Sequence, residues 1–156
     1  MDLKELYQEI VLDHGKNPRN KKKCKDFNKD AEGHNPLCGD KVHVFLKLNK
    51  EKKVEDISFE GEGCAISIAS ASIMTETIKG KEFNVAKKIL EDFLNMLKEG
   101  SKLRINSLSE DQNTTMMSLS GVKRFPMRVK CATLAWHTFV HAAEGKKEIV
   151  NTEKTD

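Results

Sequence analysis

The chain reads as an α+β domain in which a small antiparallel three-stranded sheet packs against several helices. Three observations predict this. An amphipathic helix opens the chain, strand-type alternation follows in one block, and helical periodicity then returns for most of the remainder. Helix, strands, then helices is the order expected when helices cover an antiparallel sheet. A length of 156 residues suits one domain with its own core. We read residues 1–145 as that domain and 146–156 as a flexible tail without an apolar face.

Residues 2–13 form the first predicted helix. Leu3, Leu6, Tyr7, Ile10 and Val11 fall on one helical stripe, Asp2 can cap the start, and Gly15 with Pro18 closes it. Lys16 to Glu32 is a basic, turn-rich connector. Val42, Val44, Leu46 and Leu48 then alternate with His43, Phe45, Lys47 and Asn49, the period of a strand. A polar turn at 49–52 leads to a second strand through Val54, Ile57 and Phe59, so the pair reads as a hairpin. Residues 61–66 read as the tight approach to a third short strand. Ile66–Ile78 favours a helix with a Ser-rich first turn. Residues 82–98 carry the stripe Phe83, Ala86, Ile89, Leu90, Phe93, Leu94 and Leu97, closed by Gly100. Residues 101–120 are ambiguous. Residues 128–144 form the last helix, between Pro126 and Gly145.

Composition excludes several function classes. Apolar residues are 38% and charged residues 33%; 27 basic and 24 acidic side chains leave a net charge of only +3. That bias is too weak to argue for nucleic acid, and one Trp and one Tyr offer little base stacking. No apolar run approaches the roughly 18 residues of a membrane span. The N-terminus is amphipathic and contains acids, unlike a signal or transit peptide. The expected compartment is therefore the cytoplasm, where thiols stay reduced. Cys24, Cys38, Cys64 and Cys131 are then read as metal ligands or reactive thiols before disulfides.

Three short segments carry the chemistry. In Asn35-Pro36-Leu37-Cys38-Gly39-Asp40 a thiol and a carboxylate flank a glycine, so one tight loop can turn both toward a point. In Gly61-Glu62-Gly63-Cys64-Ala65-Ile66 two glycines let the main chain pass close, and Cys64 sits at a helix start, where the thiolate is favoured. In Arg128-Val129-Lys130-Cys131 two cations stand beside a thiol in the first turn of the last helix. Each Cys alone reads equally as a buried structural residue. Together, three Cys and one Asp match the ligand number of tetrahedral zinc. However, 25 residues separate Cys38 from Cys64 and 66 separate Cys64 from Cys131. No zinc finger has that spacing, so the fold must assemble the site. Cys24, within Lys21-Lys22-Lys23-Cys24-Lys25, reads as an exposed, incidental thiol. His137 and His141 share a helical face but read as structural, and no phosphate loop, nucleophile elbow or dinucleotide fingerprint is present.

These motifs, with Phe125-Pro126-Met127 before Arg128 and with Leu6-Tyr7 through Asp13-His14-Gly15-Lys16-Asn17-Pro18-Arg19-Asn20, resemble the three-cysteine signature of the IscU/NifU-N iron–sulfur assembly family. The resemblance runs from about Leu3 to Ala143. It is nearest the SufU type: Lys130 stands where IscU-type scaffolds carry His, and the interval from Cys64 to Cys131 is long. The resemblance implies a small sheet with packed helices and a metal site at one end. It implies zinc held by Cys38, Asp40, Cys64 and Cys131. It further implies Cys38 as acceptor of persulfide sulfur from a PLP-dependent cysteine desulfurase of the SufS type, with Arg128 docking or activating that partner. Sulfurtransferase-like activity would then exist only together with the desulfurase. Two alternatives stand beside it: a scaffold on which an iron or [2Fe–2S] cluster is built at the same site and passed to downstream assembly proteins, and a structural zinc interaction module.

Overall fold

The computed structural model describes residues 2–99 and 104–154. In chain order the elements are α1 (Leu3–Lys16), β1 (Lys29–Asn35), β2 (Asp40–Leu48), β3 (Val54–Glu62), α2 (Ala65–Ile78), α3 (Phe83–Glu99), α4 (Glu110–Leu119), α5 (Val129–Ala143) and β4 (Val150–Asn151). Short 3-10 turns occupy Ser120–Arg124, Pro126–Arg128 and Thr152–Lys154.

The α+β class holds, but the sheet is four-stranded and mixed, in the order β3-β2-β1-β4. The expected hairpin is β2 and β3, paired antiparallel with Val44 opposite Phe59. The third antiparallel strand is β1, from within the segment read as a connector. Its sequence, Lys29-Asp30-Ala31-Glu32-Gly33-His34-Asn35, lacks apolar alternation, and tertiary pairing with β2 makes it a strand. Residues 61–66 do not lead into a third short strand. Instead β3 runs on through Glu62, and α2 starts at Ala65.

The tail is the other correction. Val150 is 2% exposed, and Val150–Asn151 pairs in parallel with Gly33–His34. Two residues cannot signal a strand by periodicity; an available sheet edge creates it. Gly100, read as the stop of the third helix, lies outside the described residues, as do the last two of the tail.

One face of the sheet presents Val42, Val44, Leu46, Ile57 and Phe59 to the core, where they meet Trp136 and Phe139 of α5 and Ile73 and Met74 of α2. α2 is buried almost all round, which its run of small and apolar residues permits. α3 closes the core with Phe93, whose ring lies 5.4 Å from that of Trp136. On the opposite face the 21–28 segment crosses the sheet: Phe27 packs edge-on to Phe45 at 5.0 Å. This burial accounts for Cys24, which is 3% exposed and not a surface thiol. Its backbone N–H donates to Ser58 Oγ at 2.9 Å, turning the sulfur inward while the flanking lysines face water.

Candidate metal centre

The site lies at one end of the sheet, where three chain reversals meet. Cys38 sits in the turn between β1 and β2, closed by the Gly39 N–H donating to the Asn35 carbonyl at 2.9 Å. Asp40 opens β2. Cys64 follows β3 as the N-cap of α2, and Cys131 lies in the first turn of α5. Two glycines make the convergence possible. Gly39 takes φ +74°, a left-handed geometry that glycine adopts without cost. Gly63 takes φ +152°, and a Cβ there would stand 2.2 Å from Asp40 Oδ1.

Cys38, Asp40 and Cys131 bring their ligand atoms within 4.8 Å of one another. The Cys131 and Cys38 sulfurs are 3.4 Å apart. Asp40 is fully buried. Its Oδ1 accepts the Cys64 backbone N–H at 2.9 Å, and its Oδ2 accepts Asn35 Nδ2 at 3.2 Å. A buried carboxylate facing two thiols is costly without a nearby cation, and two sulfurs with one oxygen are donors that a borderline divalent ion accepts. The donor set therefore fits a metal such as zinc.

The Cys64 sulfur stands outside that trio but interacts with the Cys131 thiol. The Cys131 thiol pulls the Cys64 pKa down to about 6. Burial opposes this, and the opening amides of α2, Ser67 and Ile66, favour the thiolate without making a capping hydrogen bond. Cys131 is pushed upward, first by its hydrogen bond to Cys64, then by burial. Arg128 Nη1 points at Cys38 Sγ from 3.7 Å. The guanidinium is exposed, and its pKa is raised by the sulfurs it faces, Cys131 foremost.

Sequence reasoning quoted Asn35 only within its motif, Tyr7 only in a stripe and Lys130 only as a cation beside Cys131, and foresaw none of the contacts they make. Asn35, fully buried, reaches both Asp40 and the Cys131 sulfur, the latter at 3.4 Å. Tyr7, read only as part of an apolar stripe, packs beside Phe125 with 6.1 Å between ring centres. Its hydroxyl pKa is raised by burial first, while Arg124 draws it down and the Cys64 thiolate pushes it up. Lys130, adjacent to Cys131, donates to the Thr152 carbonyl at 2.6 Å. No sequence signal marked Thr152. His137 and His141 join no metal-type cluster among the described residues; His141 faces Glu148 at 3.8 Å.

Comparison with known proteins places this geometry in context. The chain matches the NifU-like N terminal domain family over residues 6–132. The zinc-dependent sulfurtransferase SufU of Bacillus subtilis (strain 168) is 41% identical over 138 residues, spanning 86% of this chain and 87% of that protein. The iron-sulfur cluster assembly scaffold protein IscU of Streptococcus pyogenes serotype M1 is 36% identical over 140 residues, spanning 90% and 84%. Among solved structures, FiSufU from Fervidobacterium islandicum AW-1, described as a scaffold protein for the SUF system, superposes with a TM-score of 0.77 at 34% identity. It covers 89% of this chain and 97% of that one.

Proposed function

Because the chain belongs to the NifU-like N-terminal domain family, we propose that it is a zinc-dependent sulfur acceptor, taking persulfide sulfur from a PLP-dependent cysteine desulfurase of the SufS type. The observation that carries this reading is the position of Cys38: partly exposed on a tight turn, 3.4 Å from the Cys131 sulfur and 3.7 Å from the Arg128 guanidinium. It is the thiol of the trio that a partner can reach, since Asp40 and Cys131 are buried. The relative named as a zinc-dependent sulfurtransferase supports the same choice of metal and activity.

Bound zinc supplies thiolate stabilisation without redox chemistry of its own. In our reading Cys38, Asp40, Cys131 and Cys64 would hold it. The transfer is thiol exchange. The Cys38 thiolate attacks the outer sulfur of the donor cysteine persulfide, a new S–S bond forms on Cys38, and the donor's S–S bond breaks. The donor cysteine leaves as thiolate and takes up a proton, while the sulfane sulfur keeps its oxidation state. Arg128 faces the nucleophile, where its positive charge meets an incoming anionic persulfide.

The test combines the chain with its desulfurase and cysteine. Cys38→Ser is expected to lower stimulation about tenfold or more, roughly 1.4 kcal/mol of transition-state stabilisation. Mass analysis of the wild type should find the added sulfur on the Cys38 peptide. Normal stimulation by Cys38→Ser overturns the acceptor assignment.

A second reading, the cluster scaffold, is favoured by the relatives named as IscU scaffolds, since thiolates and a carboxylate also suit iron. Anaerobic incubation with iron and sulfide separates the two. A stable cluster that passes to an apo-ferredoxin supports the scaffold, whereas retained zinc and no cluster supports the sulfur acceptor.

A further inference from the structure

The chain's C-terminal segment reaches into the metal centre. β4 lies parallel to β1 with Val150 opposite Gly33 and Asn151 opposite His34. Continuing that register sets the next residue, Thr152, beside Asn35, the residue from which the Cys38 turn springs. Thr152 is fully buried, and its Oγ1 donates to Asn35 Oδ1 at 3.0 Å. That bond takes up the amide's acceptor end and so turns its NH2 end toward the donors. Asn35 Nδ2 then contacts Asp40 Oδ2 at 3.2 Å and Cys131 Sγ at 3.4 Å. The Lys130 ammonium holds the Thr152 carbonyl at 2.6 Å, and Lys130 is the neighbour of Cys131 in the chain. One side chain thereby ties the tail to the helix that carries a sulfur donor.

We propose that Thr152 is a positioning residue of the metal centre: it fixes the Asn35 amide so that one NH2 group orients both the Asp40 carboxylate and the Cys131 sulfur, with Lys130 clamping the tail in place. Outer-shell hydrogen bonds of this kind set the direction of ligand lone pairs, and their removal commonly costs about 10- to 100-fold in metal affinity. A merely structural role for the tail predicts something different, a fall in stability with the metal environment unchanged.

The inference rests on the metal-centre reading but not on the partner enzyme, so its test uses metal alone. Zinc affinity is measured by competition with a chromogenic chelator. Cobalt(II), loaded in zinc's place, reports ligand geometry through its visible absorption. Thr152→Val keeps the volume and removes the donor; its zinc affinity is expected to fall about tenfold or more, with altered cobalt bands. Thr152→Ser restores the hydroxyl and is expected to recover affinity and spectrum. Lys130→Met, which leaves Thr152 intact, is expected to shift both in the same direction as Thr152→Val, and it decides the matter should Thr152→Val fail to fold. Wild-type affinity and bands in Thr152→Val, or equal losses in the Val and Ser variants, overturn the proposal. If the wild-type chain binds neither metal, the metal-centre reading itself has failed.

Discussion

Gly63 shows how little space the candidate metal site leaves. Asp40 can approach the Cys64 amide because position 63 has no side chain; a Cβ would stand 2.2 Å from Asp40 Oδ1 and 3.1 Å from the Asp40 Cα. The backbone there is also at φ +152°, which L side chains rarely adopt. Gly63→Ala should therefore displace the carboxylate, lowering metal affinity about tenfold or more and stability by about 1–3 kcal/mol. Chelator competition and a denaturant melt check the two parts, and unchanged zinc binding would refute the steric argument. Gly39 is the contrasting case. A Cβ there meets nothing within 4 Å, so Gly39→Ala costs about 1–2 kcal/mol of left-handed strain without crowding a ligand.

The contact between α1 and α2 explains how the first helix is held against the layer that carries Cys64. His14, near the end of α1, is buried, and its Nδ1 lies 2.8 Å from Ser72 Oγ on α2. The Arg19 backbone N–H already donates to that oxygen at 2.8 Å. The Ser72 hydroxyl is therefore free to donate to Nδ1, which a neutral imidazole accepts and an imidazolium cannot. In agreement, the His14 pKa is lowered from 6.5, by burial first and then by the Arg19 charge. The unfolded chain binds a proton at His14 more readily than the folded one. Stability is thus fully present above the unfolded value of about 6.5 and falls as pH drops below it toward the lowered folded value. Denaturant unfolding between about pH 5 and pH 7 should show a steeper loss on acidification for wild type than for His14→Gln. Equal slopes would mean that His14 carries no part of the pH dependence.

Across the whole molecule, the hydrophobic cluster is built without the candidate metal donors. Trp136, Phe59, Phe93, Phe139, Leu46 and Ile57 are buried together without contribution from the donors. The Trp136 indole N–H is satisfied by Ser70 Oγ at 3.0 Å. A domain of this length buries enough apolar surface to fold unaided. Metal removal should then leave far-ultraviolet circular dichroism near native and the melt cooperative. Loss of a ligand present at about 100 times its Kd removes roughly 2.7 kcal/mol, a drop of about 5–10 °C in Tm at this size. Collapse of the fold on chelation would instead favour the structural zinc module.

Composition, periodicity and motif were enough to specify the α+β class, the β2–β3 hairpin and the helices α1, α2, α3 and α5. These signals are local, and neighbouring residues settle them. The candidate donors also stood out, because a thiol beside a glycine and a carboxylate, or at a helix start, carries its chemistry in a few letters. The approach of Cys38 and Asp40 to Cys131 was not legible, since 92 residues of intervening chain separate Cys38 from Cys131. Nor were β1, the buried Cys24 or the role of residues 150–152. None of these has an apolar period of its own. Each is defined by partners far away in sequence: β2 for the first, Ser58 and the sheet face for the second, β1 and Asn35 for the third. Local chain preferences choose helices and turns. Only the closing of the sheet decides which edge is open, which polar residue is buried and which thiol is left partly exposed.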